Sequence, residues 1–216
     1  MKRAVIVTGG RIEREFCLGY FKGQSFDYYI AADKGLQFFF ENKRKPDLIV
    51  GDFDSADPKA LQYFEGQEGI AWMRLMPEKD DTDTECAIRQ AITLGIEEIH
   101  ILGGTGSRLD HMLGTVGLLG IGLREHVEIF LVDSRNRVRM VEKQCLISKE
   151  EQYGDYVSLL PVTNKVTGVT LTGMKYPLSG YTMEHYSSLG ISNEIVGAAA
   201  EITLEDGALL VIESRD

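Results

Sequence analysis

The chain has 216 residues, enough to bury a substantial core in one domain or two. With 44% apolar and 26% charged residues, its composition excludes a disordered chain. Lys and Arg number 23 against 33 Asp and Glu, a formal charge of −10 that argues against a general nucleic-acid binder but leaves room for a local basic pocket for phosphate.

The opening "MKRAVIVTGG" lacks the long apolar region of a secretory signal. From there to residue 134 one theme repeats: a short apolar run, a turn with Gly or Asp, then a helical stretch. The runs are "AVIVTGG" (4–10), "YYIAADKG" (28–35), "DLIVGDFDS" (47–55), "GIAWMRLMP" (69–77), "EIHILGGTG" (98–106) and "VEIFLVDS" (127–134). Continuous runs are the mark of strands buried on both faces. Between them, "DTDTECAIRQAITLGI" carries apolar residues at helical spacing with a glycine near its end. Alternating strands and helices predict an α/β domain with a largely parallel sheet over 1–134. The longest apolar stretch, "MLGTVGLLGIGL" (112–123), is too short and too rich in glycine to cross a bilayer. After Ser134, segments such as "NRVRMVEK", "YVSLLPVT" and "VTGVTLTG" alternate apolar with polar residues, and no helical pattern remains. Residues 135–216 are therefore expected to form an all-β domain, a sandwich or partial barrel. Cys17, Cys86 and Cys145 form no CxxC pair and read as buried thiols in a reducing compartment, so a cytoplasmic protein with no membrane or nucleic-acid partner is expected.

Ligands of open parallel sheets sit at the carboxyl ends of the strands, and the polar clusters fall there. Asp33 ends one run, and Asp52 and Asp54 end the next. Lys79, Asp80, Asp81, Thr82 and Asp83 precede a helix, and Arg108, Asp110 and His111 follow the glycine-rich "GGTGS". Each has an ordinary structural reading. Thr82 or Asp81 would cap a helix, with Glu85 completing a capping box. Asp33 would shape a turn, Asp110 would cap a helix, and His111 would pack at a helix start. His100, inside "EIHIL", reads as a satisfied strand residue. Asp52 and Asp54, on alternate residues of an extended segment, would point to the same side and repel unless a cation lies between them. Hard oxygen ligands suit Mg²⁺ shared with substrate phosphate, and "GGTGSR" offers open backbone N–H groups beside a bidentate arginine. Neither GxxxxGK[ST] nor GxGxxG after a strand is present. The residues alone point to metal-dependent phosphoryl or pyrophosphoryl transfer.

"AADKG", "GDFDS", "KDDTD" and "GGTGSRLDH", with the later "GMKYPL" and "GISNE", occur in an order and spacing that resembles the thiamin pyrophosphokinases over essentially the whole chain. The resemblance implies transfer of the β,γ-pyrophosphoryl group of ATP to thiamin with Mg²⁺, giving thiamin diphosphate and AMP. It also implies an ATP-binding catalytic domain over 1–134, a thiamin-binding domain over 135–216, and a homodimer with thiamin between subunits. By motif, Asp52, Asp54, Asp83, Asp110 and Arg108 are the implied catalytic set, with Asp52, Asp54 and Asp83 on the metal. Asp33, Lys79, Thr82, Gly104 and Arg108 would bind ATP and its phosphates, and Tyr176, Ser192 and Asn193 would meet thiamin. Tyr176 stands where some members have tryptophan. Two other readings start from the same residues. A haloacid-dehalogenase-type phosphohydrolase would use "DFDS" as its D-x-D nucleophile motif, and a thiamin- or nucleotide-binding protein would bind without turnover.

Overall fold

The structure is a computed structural model that describes residues 1–54, 56–76, 78, 80–106 and 108–216. The chain divides into two compact units, Met1–Ser134 and Arg135–Asp216.

In the first unit, β1 (Arg3–Val7), α1 (Arg14–Gly23), β2 (Tyr28–Ala32), α2 (Gly35–Glu41), β3 (Leu48–Gly51) and α3 (Pro58–Glu65) come first. They are followed by β4 (Ala71–Arg74), α4 (Asp83–Thr93), β5 (Glu98–Leu102), α5 (Leu109–Glu125) and β6 (Glu128–Val132). The strands pair in parallel in the order β4-β3-β2-β1-β5-β6. Ile6, Ile30, Ile49, Ile99 and Ile101 are fully buried, which is why these strands read as unbroken apolar runs. β4 departs from that expectation. It is the edge strand, and Ala71 and Arg74 are exposed, because only β3 covers it. The helices begin as their first residues dictate: Asp57 accepts the Lys59 N–H at 2.9 Å ahead of Pro58, and Thr82 accepts from Glu85 N at 3.2 Å.

β1 lies between β2 and β5, so the connections leaving β1 and β5 run to opposite sides of the sheet. The crevice beyond their carboxyl ends is the switch point where doubly wound sheets bind ligands.

A polar network closes the opposite end of these two strands. Arg3 Nε donates to Glu98 Oε1 at 2.7 Å, and His100 Nε2 lies 2.6 Å from the same oxygen. Tyr20 Oη stands 2.6 Å from His100 Nδ1, so both ring nitrogens have partners. His100 is thus a hydrogen-bonded strand residue. Its bond, helped by Arg3, holds the Glu98 carboxyl at about 2, below its usual 4.5. A lowered carboxyl pKa stabilises the fold fully above the unfolded value and is lost as pH falls through the folded one. Glu98→Gln is therefore expected to cost up to about 3 kcal/mol at pH 7 and much less near pH 2, read from urea midpoints across that range. A cost independent of pH would exclude this linkage.

The second unit holds β7 (Asn136–Val141), β8 (Gln144–Ser148), β9 (Tyr156–Pro161), β10 (Lys165–Thr172), β11 (Leu178–Glu184), β12 (Ala199–Thr203) and β13 (Leu209–Ser214). β7, β13 and β9 pair antiparallel, as do β11, β10, β12 and β8. Their inward residues, including Val157, Leu159, Val169, Ile202 and Val211, form one buried cluster. The arrangement is a sandwich, and the alternating pattern follows from one face of each sheet being buried. No disulfide joins the cysteines. Cys17 and Cys145 are buried, whereas Cys86 is only half-buried, short of the expected full burial.

Candidate active site

Two glycine-rich turns meet at the switch point. Thr8 N donates to Leu102 O at 2.9 Å, locking the ends of β1 and β5 together. A Cβ on Gly10 would lie 2.1 Å from Gly103 O, and Gly103 itself has φ +76°. Only glycine allows this approach. The resulting cleft, about 360 Å³, is lined by Gly9, Gly10, Asp33, Lys34, Thr82, Asp83, Gly104, Arg108, His111 and Thr115 among others.

Five of the expected site residues thus share one cleft: Asp33, Thr82, Asp83, Gly104 and Arg108. Asp33 follows β2 with φ 49°, a left-handed residue that turns the chain into α2. Thr82 caps α4, and Asp83 opens that helix, where an acid complements the helix dipole. The capping box is half-formed, because the Glu85 carboxylate instead binds Arg89 at 2.6 Å. Thr82→Ala is expected to lower stability by about 1 kcal/mol, measured by urea unfolding; an unchanged midpoint would contradict the capping role.

Arg108 precedes α5, and its Nη2 donates to Asp110 Oδ2 at 2.6 Å. Asp110 does not cap that helix from outside. It lies in the first turn, where Oδ1 accepts the His111 N–H at 2.9 Å. The Arg108 bond, then the His111 N–H, holds the Asp110 carboxyl at about 2, so it is an anion of low basicity. His111 faces the cleft, while its carbonyl accepts from Thr115 Oγ1 at 2.9 Å.

Asp52 and Asp54 depart from the extended geometry expected of them. β3 ends at Gly51, and Phe53 between the acids is left-handed, with φ 63°. The segment is a turn in which Asp54 N donates to Asp52 Oδ1 at 3.2 Å. Phe53 holds the turn by packing on Trp72 with ring centroids 5.5 Å apart, and Arg74 lies over both rings. Asp52 and Asp54 are not among the residues lining the cleft, nor is Asp110. Among the described residues, no three His, Cys, Asp or Glu side chains are gathered so as to hold a metal ion unaided. Lys79 lies outside the described residues.

The other expected residues form a second constellation, within the sandwich unit. Asn193 is buried and makes three side-chain hydrogen bonds: its Oδ1 accepts from Tyr176 N at 3.0 Å and Glu194 N at 2.9 Å, and its Nδ2 donates to Tyr176 O at 2.8 Å. It clips the Tyr176 backbone and leaves that ring exposed. Ser192 is left-handed, φ 58°, with its N–H donating to Ser158 Oγ at 3.0 Å. Sequence reasoning passed over Gly9, Gly10 and Lys34. The doublet after β1 is a visible signal for the glycines, and Lys34 stands beside Asp33 in the "AADKG" run.

A doubly wound sheet thus carries glycine turns and acids at its switch point, and a β-sandwich unit follows it in the chain. The family model for the thiamin pyrophosphokinase catalytic domain matches residues 23–131, and that for the thiamin pyrophosphokinase vitamin B1 binding domain matches 144–209. Thiamine pyrophosphokinase of Bacillus subtilis (strain 168) is 31% identical over 188 residues, 87% of each chain. Its crystal structure superposes with a TM-score of 0.88, covering 100% of both chains. Thiamin pyrophosphokinase from Geobacillus thermodenitrificans is 30% identical with a TM-score of 0.85, covering 99% of this chain and 98% of that one. The chain belongs to the thiamin pyrophosphokinase family and is an enzyme of it, a transferase. The phosphohydrolase alternative falls with this assignment, since the D-x-D pair follows β3 and the neighbouring sets belong to the family.

Proposed function

We propose that the enzyme transfers the pyrophosphoryl group of ATP to thiamin, with Mg²⁺, giving thiamin diphosphate and AMP. The observation that carries this reading is the switch-point cleft, where Gly9, Gly10 and Gly104 offer close backbone approach between Asp33, Asp83 and Arg108. The hydroxyethyl oxygen of thiamin forms a bond to the β-phosphorus, the bond from that phosphorus to the α,β-bridging oxygen breaks, and AMP leaves with the oxygen.

The donor set suits Mg²⁺, which takes one or two carboxylates and completes its shell with phosphate and water. Asp52, Asp54 and Asp83 would hold it. The ion, when bound, neutralises charge on the transferring phosphates. Arg108 is shared between Asp110 and the phosphates, and Asp110 fixes its fork. Of the two acids that could take the thiamin hydroxyl proton, Arg108 keeps Asp110 weakly basic, and Asp83, in the cleft at the start of α4, would share its carboxylate with the ion. Thr82 holds that helix start, and Lys79 contributes a cation to the phosphates. Orientation and charge stabilisation supply most of the rate.

The 1–134 unit is the ATP-binding catalytic domain and the 135–216 unit the thiamin-binding domain in this reading. The vitamin B1 binding family match at 144–209 supports the second assignment. Tyr176 and Ser192 meet thiamin, while Asn193 holds Tyr176 in place. The enzyme acts as a cytoplasmic homodimer with thiamin between subunits. Exposed Tyr176, Tyr181, Tyr186 and Ile191 support an interface on the second unit. No helix among the described residues is long and apolar enough to cross a membrane.

Chromatography of a mixture of enzyme, Mg²⁺, ATP and thiamin tests the reaction. AMP and thiamin diphosphate are expected in equal amounts, and neither without thiamin; ADP or free phosphate would overturn it.

A further inference from the structure

The turn that carries Asp52 and Asp54 is anchored by side chains that line no part of the cleft. Phe53, between the two acids, is only 7% exposed, and its ring folds back over Gly51, where a Cβ would come within 3.1 Å of Phe53 Cε1. The ring meets Trp72 of the edge strand β4 with centroids 5.5 Å apart and planes at 71°. Arg74, two residues further along β4, lies 5.6 Å from the Phe53 centroid and 5.2 Å from that of Trp72. Its Nη2 donates to Glu65 Oε1 of α3 at 2.5 Å. The base of the turn is tied to β4 by Leu75 N, which donates to Gly51 O at 3.0 Å. It also abuts the cleft. Asp33, a cleft residue, donates its N–H to Val50 O at 2.9 Å, and its Cα would lie 3.5 Å from a Cβ on Gly51.

Glycine adopts a left-handed φ freely, whereas phenylalanine at φ 63° is strained and persists only where its surroundings over-determine it. A glycine between the acids would allow the same turn but would not hold it. The aromatic ring accepts local strain and fixes the turn on β4. We propose that Phe53, Trp72 and Arg74 form a clasp that presets the Asp52 and Asp54 carboxylates for a divalent cation, so that an edge strand whose side chains offer the ion no oxygen sets its affinity. The inference rests on the reading that these two acids hold Mg²⁺. That ion demands near-octahedral ligand placement, so a turn held in one geometry binds it better than one that samples several. Phe53, Trp72 and Arg74 are positioning residues, acting through the carboxylates.

Mn²⁺ alone is the probe, with the free ion counted by electron paramagnetic resonance. Wild-type enzyme is expected to bind it saturably, and Asp54→Asn is expected to abolish that binding, which marks the site. Trp72→Ala is expected to weaken Mn²⁺ binding by about 10-fold, the usual scale for residues that orient metal ligands, and Trp72→Phe, which keeps a ring, to restore most of it. Phe53→Gly keeps the left-handed turn accessible and removes the ring, so it is expected to weaken binding by about the same factor. In turnover, the free Mg²⁺ needed for half-maximal rate should rise in step while the KM for thiamin stays unchanged, a split that general damage to the fold would not produce. Thermal melts verify folding, and if Trp72→Ala does not fold, Phe53→Gly decides. Wild-type Mn²⁺ affinity in both Trp72→Ala and Phe53→Gly overturns the proposal and leaves the metal reading standing. Binding that survives Asp54→Asn, or no saturable binding by wild type, removes the ion from this turn and the role of the clasp with it.

Discussion

Gly10→Ala is expected to remove most turnover, by about 100-fold or more in kcat/KM, because displacing reacting groups by about 1 Å costs that much. The new Cβ would lie 2.1 Å from Gly103 O, a backbone atom in the facing turn. Gly103 is itself held, since a Cβ there would come 2.8 Å from Thr8 O and its φ is +76°. Neither turn can yield alone, so the β1 and β5 loops must separate and the cleft between them must change shape. Stability should fall by about 1–3 kcal/mol, the usual cost of overpacking. Gly19→Ala is the control: its Cβ meets nothing within 4 Å on α1, and alanine there should be neutral or stabilising by about 0.5–1 kcal/mol. Urea midpoints and AMP formation rates for both variants check this, and wild-type turnover in Gly10→Ala would exclude the switch-point cleft as the reaction site.

Asp83→Asn should be the most damaging isosteric change, lowering kcat by about 10²–10³-fold through loss of a carboxylate that would hold the ion beside the phosphates. The fold should barely register it. Thr82 still caps α4, and loss of one negative charge from the first turn costs about 0.3–1 kcal/mol. Single-turnover rates, with melting temperatures alongside, separate these effects. Activity within a few-fold of wild type would remove Asp83 from the metal site. Asp110→Asn offers a contrast, since it would release Arg108 rather than remove a metal-holding carboxylate.

The fold was legible in the sequence because burial wrote two different patterns. Parallel strands covered on both faces gave unbroken runs, and sandwich strands covered on one face gave alternation. β4 broke the rule because edge position is a property of strand order, which no single run records. Asp52 and Asp54 show a subtler failure. Alternate spacing suggested a shared face, but Phe53 adopts φ 63°, a conformation rare for a bulky residue and stabilised by Trp72 and Arg74 from β4. Tertiary contacts thus override the local reading. The Gly10–Gly103 approach joins residues far apart in the chain, so the sequence showed the glycines without their meeting.

In the proposed reaction the pyrophosphoryl group moves intact, in a single displacement at the β-phosphorus. ATP labelled with ³²P at the β-position tests it most directly, with separation of all products after reaction with thiamin and Mg²⁺. Label is expected in thiamin diphosphate from the first turnover, with unlabelled AMP and no labelled ADP. Label accumulating in ADP, with thiamin monophosphate appearing first, would contradict it and make the cleft a stepwise γ-phosphoryl transferase.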